Sequence, residues 1–458
     1  MDTTKLIEEL RRTLGAAGVL TGTEIGERYR SDASLSGTSL PLAVLRPDTV
    51  ETISAALRLC NEARQPVVPQ GGLTGLAGGA NAAANHIAIS LERFSGIEEI
   101  DVVSATMTVR AGTVLQVAQQ AAADAGLLLP IDLGARGSCQ LGGVISTNAG
   151  GVRVLRYGPA RDSVLGLEAV LADGTVVSSM NKMIKNNTGY DLRQLFIGAE
   201  GTLGIVTRAV LRLRPLPAAR RTALGATGSY AQVLALLARA RLELPDLSSF
   251  EVMWRDYVRF NEVAAGVRHF AEDHEFQVIV ECEGDGSERF TETFDSFFAS
   301  CLEEGVLSDA LIAQSEKHRL DFWAVREGHE MDRLLPNLVN LDVSMEIGAL
   351  GEFADNCAAA LIDRFPDAYV SFFGHLGDGN LHIAVSVPGT DEDGIAAISR
   401  IAYELVRDRQ GSISAEHGIG TLKRNYLGYS RSLSELNMMR RIKNALDPNG
   451  ILNPGKVL

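Results

Sequence analysis

Apolar positions in the first half of the chain come in short runs separated by glycine-rich loops. PLAVLRP (41–47) reads as a strand, and TVETISAALRLCNEA (49–63) repeats its apolar positions with helical spacing. HIAISL (86–91) predicts another strand, ATMTVRAG (105–112) alternates with period two, and TVLQVAQQAAADAG (113–126) returns to helical spacing. LEAVLADGTVV (167–177) predicts a hairpin turning at Asp173-Gly174. A further strand leads from Arg208 to Pro217.

From about 221 to 411 the texture changes to long helices alternating with period-two strands. FQVIVECEG (276–284), NLVNLDVSMEI (337–347), AYVSFFG and LHIAVSV predict strands. Segments 287–305, 317–335 and 352–365 predict helices, and the segment 391–411 closes the layer. The pattern is that of an α+β layer, an antiparallel sheet with helices on one face. The expected organisation is a helical N-terminal segment over 1–36, a first domain over 37–217, a second over 218–411, and a segment over 412–458 that completes the site.

Composition narrows the function classes. With 458 residues, two or three domains are expected. The formal net charge of −14 argues against nucleic acid as partner. No run approaches the roughly 18 apolar residues of a membrane span. The acidic N-terminus lacks the pattern of a targeting signal, which favours a cytoplasmic protein. Cys60, Cys139, Cys282, Cys301 and Cys357 are scattered and odd in number, so reduced, buried thiols are expected. Forty-six glycines are about a tenth of the chain, against an average near 7%.

Those glycines cluster where they have chemical meaning. Pro69-Gln70-Gly71-Gly72-Leu73-Thr74-Gly75-Leu76-Ala77-Gly78-Gly79 follows a strand, and such a loop can turn successive N–H groups toward a pyrophosphate. No G-x-G-x-x-G follows a strand, so a nicotinamide Rossmann site has no support. Residues 450–457 imitate a P-loop in spacing but lack the Ser or Thr after lysine. A second block runs from Pro130 through Ser138, Gly142 and Gly143 to Gly151. A third runs from Asn187-Thr188-Gly189-Tyr190-Asp191 to Gly201, Gly204 and Val206.

With these three blocks the chain resembles the FAD-linked oxidoreductases of the vanillyl-alcohol oxidase (PCMH) type. The resembling branch holds D-lactate, glycolate and D-2-hydroxyglutarate dehydrogenases. The resemblance runs from about residue 37 to Asn453-Pro454-Gly455-Lys456. It implies a two-subdomain FAD-binding domain followed by a substrate (cap) domain. It assigns FAD contacts to Gly71, Gly72, Thr74, Gly75, Ser138, Gly143, Gly204, Val206 and Asn453. Residues 69–80 contain no His or Cys, so the FAD is expected to be non-covalent; His86 reads as structural.

Two further loops concentrate histidine. Gly374-His375-Leu376-Gly377-Asp378-Gly379-Asn380-Leu381-His382 joins two apolar strands and is expected to set His375 and His382 at opposing ends of one turn. Ser414-Ala415-Glu416-His417-Gly418 places a carboxylate beside another imidazole. Two imidazoles and a carboxylate form the ligand set of a catalytic divalent metal. The resemblance implies His375, His382 and Glu416 as ligands of a divalent metal, expected to be Zn²⁺, and His417 as base, with Asp378 shaping the turn. It also implies that Arg326, in Trp323-Ala324-Val325-Arg326-Glu327, receives the substrate carboxylate, and it adds Asn380 to the substrate contacts. A metal has a physical rationale. An alcohol of pKa about 16 lies ~9 units above histidine, on the order of 12 kcal/mol, and a bound Zn²⁺ can lower the pKa of coordinated water to about 7.

Members acting on D-2-hydroxyglutarate carry a lysine where this chain has Asn340, an asparagine at Ala384 and a threonine at Glu330. These departures weaken the case for a dicarboxylate; Arg333 or His329 are candidates to compensate. The expected reaction is oxidation of a D-2-hydroxy acid to the 2-keto acid, with hydride passing to flavin N5. The expected electron acceptor is an electron-transfer flavoprotein or quinone, and a homodimer is the base-rate expectation. A D-lactate or glycolate dehydrogenase is the alternative within the fold. A flavin-free metal hydrolase and a non-catalytic flavin subunit are the alternatives from other classes.

Overall fold

The computed structural model describes every residue except Met1 and His329. The chain divides into two compact units. The first comprises Met1–Gly150, Gly158–Leu216 and Glu416–Leu458, and the second comprises Gly151–Tyr157 and Pro217–Ala415. Each unit therefore takes in chain from both sides of a linear boundary.

In the first unit, strands β1 (Val19–Thr21), β2 (Ala43–Leu45), β3 (Val67–Gln70) and β4 (Ile87–Ser90) form a sheet in the order β1-β2-β4-β3. β2 and β3 run parallel to β4, and β1 runs antiparallel to β2. The N-terminal stretch expected to be helical to residue 36 is an α-helix over Thr3–Leu14, then short turns and β1. The helix Val50–Ala63 starts at a reciprocal Thr49/Thr52 cap and buries Ile53, Ala56, Leu57 and Cys60, one stripe at helical spacing. It delivers the chain into β3 and so to the first glycine loop.

A second, antiparallel sheet joins β5 (Ile97–Asp101), β6 (Thr106–Arg110), β8 (Val164–Val170), β9 (Val176–Ser179) and β10 (Ile205–Arg212), in the order β5-β6-β10-β8-β9. β7 (Leu127–Leu128) pairs with β11 (Arg214–Pro215). The β8–β9 hairpin turns at Asp173-Gly174, as predicted. Gly174 has φ 84°, and a Cβ there would lie 2.6 Å from the Ser54 carbonyl oxygen. Only glycine satisfies both constraints.

The C-terminal segment is woven into this unit. Val67 N–H donates to Ile451 O (2.8 Å) and Asn453 N–H to Val67 O (2.7 Å), extending the β3 edge. Lys443 Nζ donates to the Thr202 and Leu452 carbonyls, each at 2.8 Å, and pairs with buried Asp447.

The second unit is built on a seven-stranded antiparallel sheet: β12 (Ala219–Thr227), β13 (Leu247–Trp254), β14 (Phe276–Gly284), β15 (Asp309–Ile312), β16 (Val339–Ser344), β17 (Tyr369–His375) and β18 (Asn380–Ser386). Their order is β15-β12-β14-β13-β17-β18-β16. The expected helices lie on both faces of this sheet rather than one: on the first, Phe290 of helix Glu288–Glu303 lies where a Cβ on Gly284 would go, and Tyr230 stacks on Trp254 at 6.0 Å. Two more helices, Arg255–Ala265 and Glu316–Glu327, pack with Leu224, Met253 and Ile279 on the other face. That second helix, predicted over 317–335, stops at Glu327. Gly328 takes the left-handed conformation (φ 58°), with Tyr257 and Asn261 close to where its Cβ would go.

Candidate functional site

The first unit holds a cavity of about 400 Å³ walled by the glycine blocks. Gly71, Gly72, Thr74, Gly75, Gly143, Gly204, Val206 and Asn453 all line it, together with Glu200, Glu416 and His417. Ser138 is exposed instead, and its neighbour Cys139 lies on the wall. The loops meet backbone to backbone: a Cβ on Gly72 would lie 2.0 Å from Ser138 O. Beyond Gly143 there is open space, with no atom within 4 Å of a Cβ position.

Leu73, Glu200 and Asn453 adopt positive φ on this wall, a cost that non-glycine residues bear mainly where surroundings impose it. Buried side-chain oxygens of Gln70, Gln140 and Asn453 have no hydrogen-bond partner among the described residues. Unsatisfied buried acceptors beside close-approaching backbone fit a polar ligand such as a dinucleotide.

His417 and Glu416 reach the cavity on a loop held by Glu200. The Glu200 carboxylate accepts from Ile419 N–H (2.7 Å) and Gly420 N–H (2.8 Å). Burial raises this carboxyl above its ordinary pKa despite those two donors. Gly418 has φ 78°, and a Cβ there would press on the Glu200 carboxylate at 2.9 Å. Burial also pushes the Cys139 thiol up to about 11, so it is a poor nucleophile at neutral pH.

The second unit gathers a charged cluster on the sheet face that carries helix Glu316–Glu327. Register does the gathering: Glu251 pairs with His375, Phe373 with His382, and His382 with Asp342. Side chains two residues apart share a face, so Glu251, His375, His382 and Asp342 point the same way. The His375 and His382 rings are 5.4 Å apart at 80°. His382 lies two residues inside β18, not at the end of the turn as expected, because the turn closes at Gly379 (φ 84°). Asp378 shapes that turn by accepting from Asn380 N–H (3.1 Å).

Arg326 is buried, not a surface cation. Its Nε donates to Glu251 Oε2 at 2.8 Å, Nη2 lies 2.6 Å from the same oxygen, and the guanidinium stacks 4.7 Å over the Phe373 ring. The Tyr257 hydroxyl donates to Arg326 O at 2.7 Å. Glu251 Oε1 lies 2.8 Å from His375 Nδ1. Burial alone would raise the Glu251 pKa, but its interactions with His375 and Arg326 hold it below the ordinary carboxylate range. Asn380 is buried and donates to Val343 O (3.3 Å), a bond within the sheet. Asn340 Nδ2 donates to Asp332 (3.3 Å), and Arg333 pairs with Glu330. His329 lies outside the described residues.

Sequence reasoning missed two members of this cluster. Glu251 lies in the apolar strand LSSFEVMW, and Asp342 in VNLDVS. Asp342 accepts from Ala415 N–H (2.9 Å) and Ser414 Oγ (3.3 Å), which pins the chain one residue before Glu416. A lone carboxylate inside an apolar strand demands a buried partner, and that signal was available.

An FAD binding domain profile matches residues 41–179, and the profile for FAD linked oxidases, C-terminal domain, matches 216–457. A D-2-hydroxyglutarate dehydrogenase of Xanthomonas citri pv. viticola is 41% identical, over 94% of this chain and 92% of its own. This chain belongs to the FAD-linked oxidases. Within them it falls in the D-2-hydroxyacid dehydrogenase branch, and it is an FAD-dependent oxidoreductase. The mitochondrial D-2-hydroxyglutarate dehydrogenase of Bos taurus is 37% identical, over 91% of this chain and 76% of its own. A Schizosaccharomyces pombe mitochondrial protein, provisionally named a D-lactate dehydrogenase, is also 37% identical, over 90% and 81%. Among solved structures, p-cresol methylhydroxylase superposes with a TM-score of 0.78 at 15% identity, covering 99% of this chain and 96% of that one. Alkyldihydroxyacetonephosphate synthase superposes at 0.76 and 16%, covering 99% and 85%. These two share the fold. Among the described residues no helix is long and apolar enough to cross a membrane.

Proposed function

We propose that this chain oxidises a D-2-hydroxy acid to the 2-keto acid, using FAD and a divalent metal, with D-2-hydroxyglutarate the first substrate to test. Bound FAD supplies the hydride acceptor. A bound divalent ion would supply acidity to the substrate hydroxyl, and His375, His382 and Glu416 would hold it. His417 takes the hydroxyl proton. The observation that carries this reading is the placement of His417 on the wall built by the cofactor loops. A base there stands next to the redox chemistry that needs it. The residues fit the metal as well: two imidazoles share one sheet face, and His375 turns Nδ1 to Glu251, which leaves Nε2 as its ligand atom.

Arg326 receives the substrate's 1-carboxylate. Arg326→Lys then raises KM more than it lowers kcat, since lysine cannot reproduce the planar fork. An electron-transfer flavoprotein or quinone would be the final acceptor of the two electrons that the substrate gives up. The relatives' names point to D-2-hydroxyglutarate, whereas Asn340, Ala384 and the Arg333–Glu330 pair offer no evident second cation, which keeps D-lactate in the test.

Anaerobic titration with D- and L-2-hydroxy acids tests the reading. D-acids bleach the visible flavin absorbance and L-acids do not; D-2-hydroxyglutarate and D-lactate are ranked by kcat/KM. Bleaching by neither enantiomer overturns the assignment. Unchanged turnover after exhaustive chelation, with FAD retained, removes the metal from it.

A further inference from the structure

We infer that Glu251 is a positioning residue, one carboxylate that orients both His375 and Arg326. The inference rests on the metal and substrate roles proposed above. The two Glu251 oxygens are divided between the two partners: Oε1 lies 2.8 Å from His375 Nδ1, and Oε2 takes Arg326 Nε at 2.8 Å and Nη2 at 2.6 Å. The Glu251 side chain is 1% exposed, so these bonds face no competition from solvent. β-Register places Glu251 directly across from His375, and the Tyr257 hydroxyl fixes the Arg326 backbone from the neighbouring helix.

An anionic acceptor on Nδ1 keeps the proton there. That fixes the tautomer and makes Nε2 the more basic metal-binding atom. The same carboxylate fixes the plane of the guanidinium, two of whose three nitrogens are turned on it. The group that ligates the metal and the group that reads the substrate carboxylate thus share one rigid support. A change at either is felt by the other.

The test uses the FAD-loaded, metal-stripped protein, titrated with Zn²⁺ against a competing chelator, followed by steady-state kinetics. Glu251→Gln keeps the shape and loses the charge; Glu251→Ala loses both. Glu281→Gln is the comparison. Its carboxylate lies on the same sheet face and bonds Thr222 Oγ1 (2.8 Å) and Trp323 Nε1 (3.2 Å) instead. Glu251→Gln is expected to weaken Zn²⁺ binding by roughly 10- to 100-fold, as for other partners of ligating histidines, and to raise KM. Glu281→Gln lowers the melting temperature with zinc affinity unchanged. If both variants bind zinc as tightly as wild type, the positioning role is overturned. If both Glu251→Gln and Glu281→Gln weaken zinc alike, the effect is general loosening and the role is equally overturned. If wild type itself binds no zinc, the metal reading falls first. Should Glu251→Ala fail to fold, Glu251→Gln carries the test.

Discussion

The two units build their functional surfaces by opposite means. In the first, the cavity wall is backbone: loops of glycine and small residues packed so closely that a Cβ on Gly72 would strike Ser138 O. In the second, the cluster is all side chain, with Glu251, Arg326, His375, His382 and Asp342 drawn from four strands and a helix. Backbone cradles suit a large, extended, multiply charged cofactor, which needs many weak contacts along its length. Side-chain clusters suit a small substrate and an ion, which need a few strong, directed ones. Changes in the two units should therefore fail differently, and that difference can be measured.

The largest expected effect belongs to the residue that works at the backbone wall but acts as a side chain. His417→Ala should slow flavin reduction by a D-2-hydroxy acid by roughly 10²–10⁴-fold, the usual worth of a general base, with FAD still bound. Stopped-flow reduction under anaerobic conditions reads this directly. A variant that reduces its flavin at the wild-type rate would move the base elsewhere.

A smaller effect tests the wall itself. Gly72→Ala must push the 138–139 backbone aside, an overpacking cost of about 1–3 kcal/mol. Thermal melts and FAD retention on a desalting column should both fall. FAD retention and melting as in wild type would mean that the wall gives way at no cost, and would erase the distinction between the two units.

The smallest effect is a silence. All five cysteines are buried, and burial pushes the Cys60, Cys282 and Cys357 thiols up to about 12. A thiol reagent at pH 8 should leave them unmodified until the protein is denatured. Rapid labelling of Cys139, which lies on the cavity wall, would mean that the first unit opens in solution. Protection of that one thiol by added FAD would locate the opening at the wall.

Much of the fold was legible because its signals are local. The period-two run 276–284 coincides with β14, and the Asp173-Gly174 turn needs only its own residues and one neighbour. Helix ends were less legible. The expected helix over 317–335 stops at Gly328 because Tyr257 and Asn261, some 70 residues earlier, leave room there only for glycine.

The sequence by itself determined the chemistry on offer: three glycine blocks, the two histidine loops and a family likeness that names FAD. Those signals survive in one dimension because a glycine loop and a histidine turn are each made of neighbours. Only the tertiary structure decided which side chains serve one another. Glu251 and His375 meet because antiparallel register sets them opposite across 124 residues of chain. Arg326 reaches the same carboxylate because its helix packs on that face. No spacing rule encodes such a meeting, since it depends on which strands neighbour each other, and burial of the apolar faces selects that order.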